Sequence, residues 1–272
     1  MPLPDPSPAR NARAHCALAG ACTVALAMGA TAGSLDRLQY SADIGARWLP
    51  SQVSSLDHDY VIDESGVLQV VQIPGLPARA DLDALQIEAN YDRLFSLDGD
   101  VTLGGTHFRA ADVIRLHAGA FSKSFDASAA SVPFGVDCDA VARAADGRLL
   151  LSFDRSFRVG GLLIRPVDVV SHNGTSFEMV FDGRAAGLPA GSNLDALDST
   201  GSNTELLFSL DTGGHIGSVR FADEDVLRVV IATSAITREL ETRTRSAAWN
   251  AADLDALAVA EVADGLFRNG FE

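Results

Sequence analysis

Four short strings place an aspartate in the same setting: DLDAL (81–85), DCDAV (137–141), NLDAL (193–197) and DLDAL (253–257), with central acids Asp83, Asp139, Asp195 and Asp255. A carboxylate repeated in this way suits two kinds of chemistry. It offers oxygen to a hard cation such as Ca2+ or Na+, or it accepts hydrogen bonds from backbone amides and caps a turn. Calcium loops of the EF-hand or Gly-Asp nonapeptide type are absent from the chain.

A second set of landmarks pairs serine with an acid. Ser96, Ser152 and Ser209 each precede an aspartate by two residues (Asp98, Asp154 and Asp211), and Ser41 in QYSAD is a weaker first copy. A nucleophilic serine needs a base to take its proton. No histidine recurs with these serines, and the chain has neither a G-x-S-x-G elbow nor an H-E-x-x-H pair. The serines therefore read as small residues that let neighbouring elements pack closely. His58, His107, His117, His172 and His215 are scattered, although His107 and His215 fall near glycine loops of different repeats. Cys138 stands where Leu82, Leu194 and Leu254 stand in the other copies, as a small buried apolar residue would.

These landmarks imply elements that hold them. The serines lie 55, 56 and 57 residues apart, and sixteen residues after each comes an aspartate: Asp57, Asp112, Asp168 and Asp225. Such self-similarity decides the fold before any local propensity does. Within a repeat the periodicity is that of strands: in RLLLSFD both faces begin apolar, as for a strand covered on both sides. Asp146-Gly147 is a hairpin signal, and GLPAG (187–191) is a crossover. Each repeat reads as four strands, and four strands in about 56 residues match a propeller blade. The predicted fold is all-β: a four-bladed β-propeller over 37–260, with a β-sandwich or paired sheets as the alternative. The chain enters at a second strand, RLQYSAD, and ends on an isolated first strand, LDALAV. Pairing of the two termini would close the ring and remove an open edge.

The order of a D-A-L strand, an apolar strand, a third strand and a proline–glycine crossover resembles the four-bladed hemopexin-type propeller, whose blades open on an Asp-Ala-Ala strand. That resemblance implies a central channel lined by the first strands, able to hold an ion through main-chain carbonyls. Asp83, Asp139, Asp195 and Asp255 would then ring its mouth, around Ca2+ or Na+. The aromatic-rich third strand of that family is replaced here by DVIRL and DVVSH. The chain is also similar to exported proteobacterial repeat proteins that end in an aromatic–glycine tail such as LFRNGFE.

The bulk properties set the compartment and the partners. The chain has 272 residues, 47% of them hydrophobic, and a formal net charge of −15. Arg10 and Arg13 precede a weakly apolar run, Ala17 to Ala30, that ends in Ala-Thr-Ala, the order of a signal peptide over 1–32 and too short for a membrane span. Its removal takes the net charge to −16 and leaves Cys138 alone, so no intramolecular disulfide forms. An acidic surface disfavours nucleic acid. The expectation is an exported protein, periplasmic or extracellular, that binds a protein or glycan without catalysing a reaction. The alternative is a hydrolase or lyase using acids and histidines from different blades. The tail from Phe267 to Glu272 reads as a sorting tag or as aromatics tucked against the ring.

Overall fold

The computed structural model describes residues 35, 37–43, 45–48, 53–64, 67–199 and 203–259. The signal peptide expected over 1–32 and the tail over 261–272 lie outside these residues.

Strand periodicity becomes four antiparallel sheets of four strands each. Blade 2 runs Ala84–Ile87, Arg93–Ser96, Val113–His117 and Ala120–Phe125; blade 3 runs Ala140–Arg143, Leu149–Ser152, Val169–His172 and Phe177–Phe181. Blade 4 runs Leu197–Ser199, Glu205–Phe208, Val226–Val230 and Ala235–Leu240. In each the order in the sheet follows the order in the chain. Blade 1 is split: Arg37–Ser41, Asp59–Glu64 and Val67–Gln72 are its second to fourth strands, and its first is Ala256–Val259 from the other end of the chain. Leu38 pairs with Val259, Tyr40 with Leu257 and Ser41 with Ala256. The first strands of the four blades each touch the next, so they close a ring. The fold is a four-bladed β-propeller sealed by its two ends.

Packing follows from that ring. Leu149, Leu150, Leu151, Ser152 and Phe153 are all buried, because a second strand is covered by a blade on either side. Four apolar clusters form, one at each blade interface; between blades 2 and 3, for example, Leu94, Val113 and Phe125 meet Val141, Leu151 and Phe153. The seam between blades 4 and 1 carries both tryptophans. Trp48 and Trp249 pack at a tilt of 56° with centroids 4.8 Å apart, and Tyr40 lies 5.3 and 5.1 Å from them. Trp249 arrives on a short 3-10 turn, Ala247–Asn250, and the alanine-rich stretch after it is the closing strand.

The connections divide between two faces. First-to-second and third-to-fourth strand links are tight, as at 88–92 and 117–120. Second-to-third links are long, and each carries a small hairpin that the sequence reading did not include: Arg47–Trp48 with Val53–Ser54, Val101–Leu103 with Thr106–Phe108, Phe157–Val159 with Leu162–Ile164, and Gly214–Ile216 with Val219–Phe221. These hairpins and the crossovers to the next blade share the face where the first strands begin.

One expected landmark moves. The aspartates that open the third strands accept from the amide three residues earlier: Arg109 to Asp112 at 2.9 Å, Arg165 to Asp168 at 3.0 Å and Ala222 to Asp225 at 3.0 Å. In blade 1 the residue doing this is Asp59, from Leu56 at 2.9 Å, and not Asp57. The spacing of sixteen fails there because this link is two residues longer.

Candidate functional site: an acidic well at the channel mouth

The well is built where each first strand begins. Ala84 pairs with Ser96 and Ala140 with Ser152, so the acid two residues after each serine returns beside the acids that precede the first strand. Backbone bonds fix this meeting: Asp98 N–H to Asp81 O at 3.3 Å, Asp154 to Asp137 at 3.2 Å, Asp211 to Asn193 at 3.1 Å and Asp43 to Asp253 at 3.3 Å. The return amides donate to the carboxylates: Asp137 N–H to Asp154 Oδ1, Asn193 N–H to Asp211 Oδ1 and Asp253 N–H to Asp43 Oδ1, each at 2.7 Å.

Asp83, Asp139, Asp195 and Asp255, the four acids singled out in the sequence, come together here. With Asp98, Asp137 and Asp154 they line a cavity of about 250 Å³, and every lining residue is an aspartate. Asn193 Nδ2 donates to Asp139 Oδ2 across the boundary between blades 3 and 4. The other acids of the well signalled themselves only through their repetition beside serine or before the D-A-L strand. Strand register was needed to place them at the mouth.

Crowding of like charge away from water controls the protonation of these groups. Burial first, then Asp139 and Asp137, pushes Asp83 up to about 9. Burial and Asp253 do the same to Asp195, also to about 9, and burial with Asp195 takes Asp255 to about 10. Asp139 is raised by burial only to about 7, because the Asn193 amide favours its charged form. Asp137 and Asp253 also rise to about 7, mainly through burial. At neutral pH the innermost acids hold protons unless a cation takes their place.

The donor set is all hard oxygen, as Ca2+ and Na+ prefer, and Asp137 Oδ1 is buried without a donor among the described residues. The groups thus fit such a cation chemically. Among the described residues, however, no three His, Cys, Asp or Glu side chains converge as a ready coordination group. Any ion would draw on carbonyls, water or small movements of the ring.

The remaining candidates fall away from the well. Ser41, Ser96, Ser152 and Ser209 are buried, and their hydroxyls are engaged by backbone. Ser96 Oγ donates to Cys138 O at 2.5 Å and Ser209 Oγ to Leu254 O at 3.1 Å, stitching each blade to the next. Ser41 and Ser152 instead donate to Asp59 O and Asp168 O, both at 3.0 Å, within their own blades. Cys138 is fully buried, and its thiol is pushed up by burial. His107 and His215 sit exposed on the small hairpins of blades 2 and 4, and neither lines the well. His117 meets Asp92 at 2.7 Å on the opposite face. His172 packs against Phe125 and Phe177, where burial pushes it down. His58 lies 3.9 Å from Asp59.

No family model matches the chain, and no curated protein matches it. Among solved structures it is similar to YCF48 bound to D1 peptide, at 8% identity and a TM-score of 0.35, covering 68% of this chain and 48% of that one. Virginiamycin B lyase from Staphylococcus aureus gives 10% identity and a TM-score of 0.35, covering 75% and 70%. The Cps50 (Swd1) beta-propeller domain of Myceliophteria thermophila gives 8% identity and a TM-score of 0.30, covering 68% and 53%. The chain spans about half the length of the first of these and 22% of the length of an extracellular domain from B. thetaiotaomicron.

Proposed function

We propose that the chain is an exported, non-catalytic binding protein that meets its partner, a protein or a glycan, with the loop-bearing acidic face of the propeller. The observation that carries this reading is the well itself: seven aspartates around one cavity, encircled by the longest loops of the fold. Such a concentration of carboxyl groups draws cations and basic surfaces, whose binding displaces the protons that burial holds on the innermost acids. The likeness to hemopexin-type propellers adds an axial cation, Ca2+ or Na+, to which Asp83, Asp139, Asp195 and Asp255 would supply charge, directly or through carbonyls and water. Bound there, the ion would neutralise the ring and favour the ionised acids.

The reading is tested by calorimetric titration of the full chain with CaCl2 and NaCl at pH 8, beside an Asp195→Asn/Asp255→Asn variant. Saturable heat that the variant loses supports an ion at the mouth, and no heat with either salt removes the ion. Fractionation of producing cells tests export, and retention in the cytoplasm overturns it.

The alternative of a hydrolase or lyase draws on the raised aspartates, since a carboxylic acid that keeps its proton at neutral pH suits general acid work. It lacks a basic partner in the well, because the histidines lie elsewhere.

A further inference from the structure

Two grooves run outward from the well, one between blades 2 and 3 and one between blades 3 and 4, and they are copies of one another. The crossovers that form them share their backbone bonds. Ala130 N–H to Asp126 O has its twin in Ala186 to Asp182, and Val132 N–H to Ala127 O in Leu188 to Gly183. Ala129 and Ala185 both donate to the aspartate at the head of the crossover, Asp126 and Asp182. Gly135 and Gly191 hold matching positive φ of 78° and 91°. With the backbone held constant, what differs is side chains.

The groove between blades 2 and 3, of about 280 Å³, is lined by Asp98, Asp100, Arg109, Phe134, Asp137 and Arg155 among others. The groove between blades 3 and 4 is larger, about 480 Å³, and has Ser156, Ala190 and Asn193 where the first has Asp100, Phe134 and Asp137. At these positions the first groove carries two acids and an aromatic ring that the second lacks, while the second is also lined by Asp211. Phe134 is 86% exposed, an uncommon position for so large an apolar group, and Arg109 lies 5.5 Å from its ring centroid.

Both cations of this groove are already engaged. Arg109 donates to Ser128 Oγ at 3.1 Å, Val132 O at 3.3 Å and Pro133 O at 2.7 Å, clamping the crossover. Arg155 Nε donates to Asp154 Oδ2 at 2.7 Å. Asp100 accepts the Ala110 amide at 3.1 Å and lies 3.6 Å from exposed His107, and Arg109, whose partners are neutral, stands over one side of the ring, so Asp98, Asp100 and Asp137 outnumber one uncompensated cation beside the exposed ring. A sugar's hydroxyls would donate to those carboxylates but leave their negative charge in place, whereas a basic side chain neutralises it and lays its stem or its cation on the ring.

We propose that the groove between blades 2 and 3 receives a lysine or arginine side chain of a partner polypeptide, its apolar stem against Phe134 and its charged head among Asp98, Asp100 and Asp137. This rests on the reading of the acidic face as a binding surface and names the partner's chemistry.

The test is amide-shift mapping of the 15N-labelled full chain with a dodecapeptide of alternating lysine and serine, and with its glutamate–serine counterpart. Saturable shifts at Gly99, Gly135 and Arg155 are expected with the lysine peptide alone. They become about tenfold weaker in Asp98→Asn/Asp100→Asn, which removes two charges, and about threefold weaker in Phe134→Ala, which removes the stacking face. Phe134 is exposed, so its variant tests the groove without disturbing the core; spectra of both variants should otherwise overlay on the parent. Saturable lysine-peptide shifts confined to residues around Asp83 and Asp255 overturn the groove and leave the acidic-face reading intact. Groove shifts with maltohexaose and none with the lysine peptide replace the basic partner with a glycan. Equal response to both peptides also overturns the proposal, and silence to every probe overturns it together with the broader reading.

Discussion

Two rings of four aspartates circle the same face of the propeller, and their surroundings are opposite. The outer ring, Asp59, Asp112, Asp168 and Asp225, opens the third strands, and each member accepts an amide from three residues before it. In blades 2 and 3 the second oxygen also accepts an amide, from Ala127 at 2.8 Å and Gly183 at 3.1 Å. The inner ring at the channel mouth faces other acids, and among the described residues only Asp139 has a side-chain donor, Asn193. Residue type and recurrence are the same in both rings. What separates them is the direction of the backbone nearby: a turn entering a strand offers amides, and a channel mouth offers other carboxylates.

The sharpest way to break this comparison is to remove an outer acid. Asp112 is fully buried and holds the Arg109 and Ala127 amides, and Lys123 Nζ stands 2.7 Å away. Asp112→Ala leaves two amides and a cation without their acceptor, so we expect a loss of about 3 kcal/mol, measured by urea unfolding. A loss under about 0.5 kcal/mol would mean that water serves these donors as well as the carboxylate does. Asp225 is the internal control. It keeps the Ala222 amide and Arg238 at 3.3 Å, but its Oδ1 has no donor among the described residues. Asp225→Ala should therefore cost less, about 1.5 kcal/mol.

The inner ring should respond to pH in the opposite sense from partnered carboxylates. Its folded pKa values, about 9 for Asp83 and Asp195 and about 10 for Asp255, lie above those of the unfolded chain. The folded state then binds more protons than the unfolded state between roughly pH 4 and pH 10, so stability falls as pH rises through that window. Melting temperature should drop by several degrees from pH 5 to pH 9 in the absence of divalent cations. Asp195→Asn/Asp255→Asn should flatten that decline. A parent protein whose melting temperature rises over the same range would show that the mouth is not a site of charge repulsion.

Much of this architecture was legible because the landmarks repeat. Ser96, Ser152 and Ser209 fix second strands, the D-A-L strings fix first strands, and the split of blade 1 between RLQYS and LDALAV foretold the closure. The small hairpins were not legible, since three-residue strands such as Val101–Leu103 are too short for alternation to register. Equal spacing misplaced the blade 1 landmark at Asp57, where a longer link moves the capping role to Asp59. The inner ring was readable as a set. Its recruitment of Asp98, Asp137 and Asp154 depends on strand register, and the groove at Phe134 joins residues of two blades. Those neighbourhoods arise from pairing and packing across the ring, which no local pattern encodes.

The finest distinction lies inside the inner ring. Asp139 rises only to about 7 while Asp83, Asp195 and Asp255 rise to about 9 or 10, and the difference traces to the Asn193 amide. Asn193 occupies the position held by Asp81, Asp137 and Asp253 in the other blades. Asn193→Asp makes the fourth blade match them and replaces a donor to Asp139 with another acid. At pH 8 the variant must either face two carboxylates in one seam or carry an extra proton. We expect a loss of about 1 kcal/mol there, seen as a melting temperature lower by about 2–4 °C. At pH 5 both groups are protonated in the folded state, a carboxylic acid can donate in place of the amide, and the difference should close. A deficit of equal size at both pH values would assign the role of Asn193 to shape alone. A deficit confined to the higher pH would show that this one amide sets the charge the mouth can carry.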